Sequence, residues 1–88
     1  MITDRYSKEQ LCVQKLLRKL RMDCSLSQGM LAKQLNVPQS LISKYECGER
    51  HLTFVEIVAI CGVLDCDIDD FSLKFKKDLK ARMLSDSK

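Results

Sequence analysis

The sequence has few residues of several kinds, and each shortage excludes a class of protein. Its 88 residues include one proline, three glycines, one histidine and no tryptophan. A chain of this length has room for one small domain but not for a Rossmann sheet or a barrel enzyme. No apolar run approaches the ~20 residues that a membrane helix needs, and the N-terminus has no signal-peptide core. With 45% hydrophobic and 31% charged residues, the chain is expected to be a soluble, cytoplasmic, helical domain without a membrane partner.

Catalytic and metal-binding patterns are also lacking. The single histidine, the absence of a glycine-rich phosphate loop and the absence of paired active-site carboxylates lead us to expect neither an enzyme nor a metal or other cofactor. The five cysteines are separated by 12, 23, 14 and 5 positions, which fits neither a disulfide framework nor paired metal knuckles. We predict that most are small buried hydrophobic residues in a reducing compartment. Cys47 falls in a polar stretch, and the alternative for it is a redox-sensing thiol.

The net charge of +3 hides an uneven distribution along the chain. Residues 1–50 carry +4, residues 51–73 carry −5 with no lysine or arginine, and residues 74–88 carry +4. A basic front, an acidic middle and a basic tail indicate a polyanionic partner for one face of the molecule. The charge pattern does not say which polyanion this is.

Hydrophobic periodicity predicts five short helices in a compact all-α bundle. Ser7 opens a capping box, S-x-x-Q, ahead of the first helix. The apolar stripe of that helix recurs at spacings of three, four and seven: Val13, Leu16, Leu17 and Leu20. Ser27 is a good N-cap for a second helix of about two turns, and Asn36 tolerates the left-handed conformation that ends it.

Similar signals predict helices three to five. Pro38 prevents continuation of helix two and suits the first turn of a third helix over 38–47, which Gly48 closes. The inward side of that helix is predicted to hold Tyr45 and either Leu41 or Ile42. Thr53 opens a second capping box, T-x-x-E, ahead of an apolar fourth helix. The acidic residues of segment 67–71 favour the positive end of a fifth helix.

The string that starts at Leu26 carries a specific resemblance. It opens with L-S-Q, continues with L-A-x-x-L and N-V, and then contains Q-S-x-I-S-K-Y-E-x-G-E-R and D-x-x-x-F. Over about residues 10–73, the chain resembles the lambda-repressor-like (Cro/CI, or Xre) family of helix-turn-helix proteins. The resemblance implies a DNA-binding domain over 1–73 whose third helix enters the major groove.

The side chains of helix three fit that role. Four polar residues lie on one face, at relative positions 0, 1, 4 and 5, and are the predicted base-contacting residues: Gln39, Ser40, Ser43 and Lys44. Glutamine makes bidentate hydrogen bonds to adenine, lysine donates to the acceptors of guanine, and serine can form a hydrogen bond with either base. By resemblance, Gln28 at the start of helix two and Arg50 after helix three contact the DNA backbone.

Other positions of the family pattern concern structure. Arg21 and Glu46 stand where the family pairs a basic with an acidic residue, and such an ion pair fixes the orientation of helix three rather than touching DNA. The chain also departs from the pattern at four positions. They are Gly29 where a helix former is usual, Pro38 in place of a frequent serine or threonine cap, Cys47 in place of a polar or basic residue, and Asp65 in place of a common glycine. These departures prevent the target sequence from being inferred.

Residues 74–88 form a basic C-terminal extension with two open interpretations. An apolar residue recurs at every fourth position: Phe71, Phe75, Leu79 and Met83. The segment therefore either continues helix five and packs against a second subunit, or is a frayed basic tail. Proteins of this family usually bind palindromic DNA as symmetric dimers, and we expect a homodimer here.

The sequence therefore favours a transcriptional regulator, with repression as the preferred sign, that binds a palindromic operator in double-stranded DNA. Two alternatives stay open. One is a restriction-modification controller, which differs in operator layout. The other is an antitoxin-like or adaptor module that grips a protein partner through helices four and five.

Overall fold

The computed structural model describes residues 8–86, which form five α-helices. The helices are α1 (Lys8–Asp23), α2 (Gln28–Leu35), α3 (Gln39–Cys47), α4 (Phe54–Val63) and α5 (Ile68–Asp86). No strand occurs within the described range, and the predicted all-α five-helix fold is confirmed. The capping signal at Ser7 lies outside the described residues.

Left-handed residues end four of the helices. After α1, α2 and α4 the backbone passes through Ser25 (φ 58°), Asn36 (φ 59°) and Asp65 (φ 53°). The next N–H then bonds back to a carbonyl in the last turn, as Val37 N does to Ala32 O at 3.0 Å, which satisfies a helix-end acceptor. Gly48 ends α3 with φ 86°, and a Cβ there would lie 2.9 Å from Gln14 Nε2. The predicted ends at Asn36 and Gly48 are confirmed.

The helix starts follow the predicted caps with one correction. Ser27 caps α2 through its hydroxyl, and Thr53 with Glu56 forms the complete capping box of α4. Pro38 is not in the first turn of α3. It is the N-cap, with φ −66° and ψ 147°, so that α3 begins at Gln39. Because an N-cap residue is extended rather than helical and proline offers no side-chain acceptor, α3 starts without a side-chain cap.

The core is built from all five helices. Its fully buried apolar residues are Cys12, Leu16, Leu17, Leu31, Ala32, Ile42, Tyr45, Ile60, Cys61, Leu64 and Phe71. The predicted inward position of Tyr45 is confirmed, and of the two alternatives beside it Ile42 is buried whereas Leu41 is only half-buried. α2 packs chiefly on α3, and α1 packs chiefly on α5. The α2–α3 pair is therefore one packed unit supported from behind by the other helices.

The prediction that most cysteines are buried is wrong. Cys12 and Cys61 are buried and Cys66 is half-buried, but Cys24 and Cys47 are exposed. Cys24 follows α1 in a turn and Cys47 ends α3, so their positions at the surface outweigh their apolar character. Burial raises the pKa of the Cys61 thiol to about 11.

The described part of the basic extension is helical, because α5 continues without a break from Ile68 to Asp86. Its apolar stripe begins against the chain's own core rather than against a second subunit. Phe71 is buried, Phe75 packs against the core cluster, and the Phe75 carbonyl accepts a hydrogen bond from Cys12 Sγ at 3.6 Å. Met83, near the end of the helix, is 43% exposed. Only the far end of the stripe is left for a contact outside the chain.

Candidate nucleic-acid interface

The α2–α3 pair is a helix-turn-helix joined by the three residues 36–38. The left-handed Asn36 turns the chain back, and the extended Pro38 directs it into α3. Leu31 of α2 and Ile42 and Tyr45 of α3 are buried in the same core cluster. The orientation of α3 is therefore fixed by packing on one side, and its opposite side faces solvent.

The exposed side of α3 carries the predicted base-contacting residues. All four are exposed: Gln39, Ser40, Ser43 and Lys44. They occupy the first two turns of a nine-residue helix, whose diameter of roughly 10–12 Å matches the ~12 Å width of the DNA major groove. We refer to these four residues as the reading face.

A hydrogen-bonded network lies beneath the reading face and joins three helices. Arg21 Nε lies 2.6 Å from Glu46 Oε2, and Arg21 Nη2 lies 3.0 Å from Glu46 Oε1. Arg21 Nη1 also donates to Leu26 O at 2.6 Å. The side chains of both charged residues are 9% exposed. The structure thus joins Arg21 of α1 to Glu46 of α3 in the bidentate, largely desolvated arrangement in which an ion pair constrains geometry most.

Gln28 is part of the same network. Its Nε2 donates to Glu46 Oε1 at 3.0 Å, so one of the two amide hydrogens of this residue, which is predicted to contact the DNA backbone, is engaged by the protein. In the first turn of α2, the Met30 N–H donates to the Ser27 hydroxyl at 3.1 Å, whereas the N–H groups of Gln28 and Gly29 have no acceptor within the helix. Those two N–H groups can face an anion.

Arg50 is held by two groups at the end of the helix-turn-helix. Its guanidinium lies over the Tyr45 ring, 5.8 Å from the centroid, and its Nη2 is 3.6 Å from Glu56 Oε2. The Arg50 side chain is still 55% exposed. Its charge therefore stays accessible to a phosphate while its direction is limited by the aromatic ring and the carboxylate.

Glu56 connects the cap of α4 with the buried face of α3. One carboxylate oxygen accepts the Thr53 backbone N–H at 2.8 Å, and the other accepts the Tyr45 hydroxyl. The hydrogen bond from the Thr53 N–H, followed by the one from Tyr45, lowers the pKa of Glu56. Burial, followed by the bond to this carboxylate, raises the pKa of Tyr45. Glu56 therefore stays ionised and links α3, the helix that carries the reading face, to α4.

Arg18 is the residue that the sequence analysis missed. A polar hollow beside the reading face is lined by Arg18 of α1, Gln28 of α2, and Ser43 and Cys47 of α3. Arg18 precedes Arg21 by one turn of α1, so both project toward α3. The spacing of three residues between Arg18 and Arg21 is the signal in the sequence that could have identified Arg18. The exposed Arg18 side chain adds a positive charge at the edge of the reading face.

Membrane-spanning helices and metal-binding clusters were also sought among the described residues. Within 8–86, none of the helices combines the length and the apolar character needed to cross a membrane. In the same range, no three or more histidine, cysteine, aspartate or glutamate side chains are grouped so that they could hold a metal ion.

Comparison with known proteins agrees with this geometry. A family model described as helix-turn-helix matches residues 17–71. The solved structure of the restriction-modification controller protein C.Esp1396I has a TM-score of 0.79 and 23% identity, covering 83% of this chain and 97% of that chain. The structure of the clp gene regulator ClgR from Corynebacterium glutamicum has a TM-score of 0.78 and 17% identity, covering 88% and 82%. At these identities the likeness shows the fold alone. No curated protein matches the sequence.

The family match spans the functional unit and most of the core. It includes α2, the turn, α3 and α4 in full, and it extends from Leu17 of α1 to Phe71 of α5. The resemblance found in the sequence is therefore confirmed. The chain belongs to the helix-turn-helix family, in its lambda-repressor-like (Xre) form, and is a DNA-binding transcriptional regulator.

Proposed function

We propose that this regulator is a homodimeric repressor that binds a palindromic operator with α3 in the major groove. The observation that carries the proposal is the reading face, which stands on a helix fixed from below by Tyr45 and by the Arg21–Glu46 pair. Rigid support matters because bidentate contacts with base edges tolerate little displacement. The proposal requires no catalytic step. It places the protein in the cytoplasm, where a reducing environment suits five free thiols.

The reading face combines three kinds of hydrogen-bonding chemistry. The amide of Gln39 can donate to and accept from one adenine, and the ammonium of Lys44 can donate to guanine O6 and N7. The hydroxyls of Ser40 and Ser43 can donate or accept. These groups support recognition of a mixed sequence by each subunit.

Contacts with the DNA backbone would hold that face in register. The N–H groups of Gln28 and Gly29 suit a phosphate because they lack helical acceptors and lie at the positive end of the α2 dipole. Arg50 offers an exposed guanidinium that is already oriented by Tyr45 and Glu56. Arg18 offers a second one beside Ser43. Each such contact positions the protein without reading sequence.

The exposed side of α4 supports the homodimer. This helix, FVEIVAICGV, has one charged residue, and a helix that is apolar on all sides is normally covered on all sides. In a single chain Phe54 is 67%, Val55 76% and Val58 42% exposed. The spacings of three and four residues make these side chains neighbours on the helix surface. A second copy docked on this patch covers it and supplies the second reading helix that a palindrome requires.

DNA binding is tested with a duplex obtained by in vitro selection with the wild-type protein, followed by fluorescence anisotropy. The double variant Gln39→Ala/Lys44→Ala should bind that duplex at least about thirtyfold more weakly for each half-site, since two base contacts of ~1–3 kcal/mol each are lost there. The matched control is Gln34→Ala/Lys77→Ala, which removes the same two side-chain types from exposed positions on α2 and α5. Equal affinities of the two double variants would contradict the proposal.

Phosphate contacts are counted from the salt dependence of the same binding reaction. Arg50→Ala should weaken binding to selected and random duplexes alike and reduce the magnitude of the slope of log K against log salt by about one for each bound subunit. A loss confined to the selected duplex would mean that Arg50 reads bases instead.

The dimer is tested by sedimentation of the protein without DNA. Val55→Glu places a charge in the α4 patch and should give a monomer, whereas Met22→Glu, at a 56% exposed position on α1, should leave the dimer intact. A Val55→Glu variant that sediments like wild type would place the interface elsewhere.

The same α4 patch also favours the adaptor alternative, in which a different protein covers it. Wild-type protein that sediments as a monomer, together with unchanged DNA binding by Gln39→Ala/Lys44→Ala, would support that reading.

The likeness to C.Esp1396I favours the restriction-modification controller as a variant of the regulator. A promoter fused to a reporter and carrying the selected site decides the sign of regulation, since a repressor lowers reporter expression and Gln39→Ala/Lys44→Ala restores it.

A further inference from the structure

Gly29 lies directly against the first residue of the reading helix. It is the second residue of α2, where the sequence pattern normally has a helix former. A Cβ added at Gly29 would stand 3.2 Å from Gln39 Oε1, 3.7 Å from Gln39 Cδ and 3.9 Å from Ser27 Oγ. A methyl group at position 29 would therefore be in tight contact with the Gln39 amide, which would have to move by a few tenths of an ångström.

The conformation of Gly29 does not require glycine. Its φ is not among the positive values in the chain, so alanine can adopt the same helical backbone. Glycine in a helix is less favourable than alanine by up to ~1 kcal/mol, so local stability gives no reason for it here. The close approach of the Gln39 amide is the one structural feature that distinguishes this position.

The other glycine inside a helix shows the contrast. Gly62 of α4 is exposed, and a Cβ built on it meets no atom within 4 Å. Both glycines tolerate a methyl group as far as the backbone is concerned. Only the one on α2 has a reading-face side chain against it, which makes Gly62 a matched control.

We propose that Gly29 is a specificity-determining position, because the space left by its missing side chain sets the rotamer in which Gln39 reads its base. A glutamine amide makes two hydrogen bonds with adenine only when both of its polar atoms lie in the plane of the base. A methyl group at position 29 would stand 3.2 Å from Gln39 Oε1, so it would push the amide away from the arrangement that it has beside glycine. This inference rests on the proposed function, since it requires that Gln39 contact a base.

The test compares Gly29→Ala, Gly62→Ala, Gln39→Ala and the double variant Gly29→Ala/Gln39→Ala. Both glycine variants should fold, with a Tm equal to or a few degrees above wild type, because alanine favours the helix and lowers the entropy of the unfolded chain. Gly29→Ala should weaken binding to the wild-type selected duplex by roughly three- to tenfold, the cost of an off-rotamer side chain. Gly62 lies one turn after Val58 on α4, so sedimentation is used to check that Gly62→Ala keeps the wild-type association state. With that state intact, Gly62→Ala should leave binding unchanged.

Two readouts separate this inference from the proposed function. The double variant should bind no more weakly than Gln39→Ala alone, since the methyl group acts only through Gln39. In vitro selection with Gly29→Ala should lose its preference at the same base pair as selection with Gln39→Ala. If Gln39→Ala binds like wild type, the base contact itself is refuted. If Gln39→Ala weakens binding but Gly29→Ala does not, or if the two effects add, Gly29 has no role in specificity.

Discussion

The Arg21–Glu46 pair is where a single substitution should disturb the fold most. The pair is bidentate, at 2.6 and 3.0 Å, and both side chains are 9% exposed. Glu46→Ala leaves the Arg21 guanidinium buried with the Leu26 carbonyl as its remaining partner in this network, and it removes the acceptor of the Gln28 amide. Removing one partner from a buried pair costs ~3–5 kcal/mol.

That loss is large for a chain of this size. At ~0.05–0.15 kcal/mol per residue, 88 residues give a free energy of unfolding of about 4–13 kcal/mol. Since ~1 kcal/mol shifts the Tm of a small domain by about 4–8 °C, Glu46→Ala should melt at least ~12 °C below wild type. Thermal and urea unfolding followed by circular dichroism measure both quantities.

An exposed ion pair on α1, the helix that also carries Arg21, is the control. Lys19 Nζ and Asp23 Oδ2 are 3.1 Å apart, but their side chains are 70% and 58% exposed. Asp23→Ala should therefore cost no more than ~0.5 kcal/mol. The double variant Arg21→Met/Glu46→Leu, which removes both charges, should recover much of the stability lost in Glu46→Ala. A Glu46→Ala protein with wild-type melting would refute the reasoning.

Three further predictions concern other parts of the fold. Because the pKa of Glu56 is lowered, its carboxylate stabilises the protein above its ordinary pKa of 4.5, and this contribution is lost as pH falls through the lowered value. Glu56→Gln should lower the free energy of unfolding by roughly 1–2 kcal/mol at neutral pH and match wild type in acid. A difference in free energy of unfolding, measured by urea titration, that stays constant with pH would argue against this. Asp65→Gly, at a left-handed residue, should be more stable by roughly 0.5–1 kcal/mol, and an unchanged urea midpoint would show that Asp65 is unstrained. Cys47 lines a hollow with Ser43, and its labelling with maleimide should weaken DNA binding about tenfold or more. The Cys47→Ser protein treated with the same reagent should bind normally. Unchanged binding after labelling of Cys47 would end the redox-sensing hypothesis.

Local signals in the sequence predicted the elements of the fold and the orientation of the reading face. A left-handed ending at Asn36, a glycine closing α3 and a capping box at Thr53 each depend on residues within a few positions, and all three occur. The exposed side of α3 follows from helical spacing together with the apolar residues opposite. These features need no knowledge of the other helices.

Features that depend on packing between helices were missed or misplaced. The engagement of the Gln28 amide by Glu46 joins residues 18 positions apart, and the link from Tyr45 to Glu56 joins α3 to α4. The exposure of Cys24 depends on where the turn after α1 lies. Helical spacing placed Phe71 on an apolar stripe but did not show that the chain's own core covers it.

The approach of DNA to α3 is tested most directly by following backbone amide signals in ¹⁵N-labelled protein during titration with the selected duplex. The largest chemical-shift changes should fall in the first turn of α2, at Gln28 and Gly29, along the reading face from Gln39 to Lys44, and at Arg50. Signals of the α4 patch should change little, since in the proposed homodimer a second copy covers it. Shifts concentrated on α4, with the signals of α3 unmoved, would show that α3 is not the DNA-reading helix.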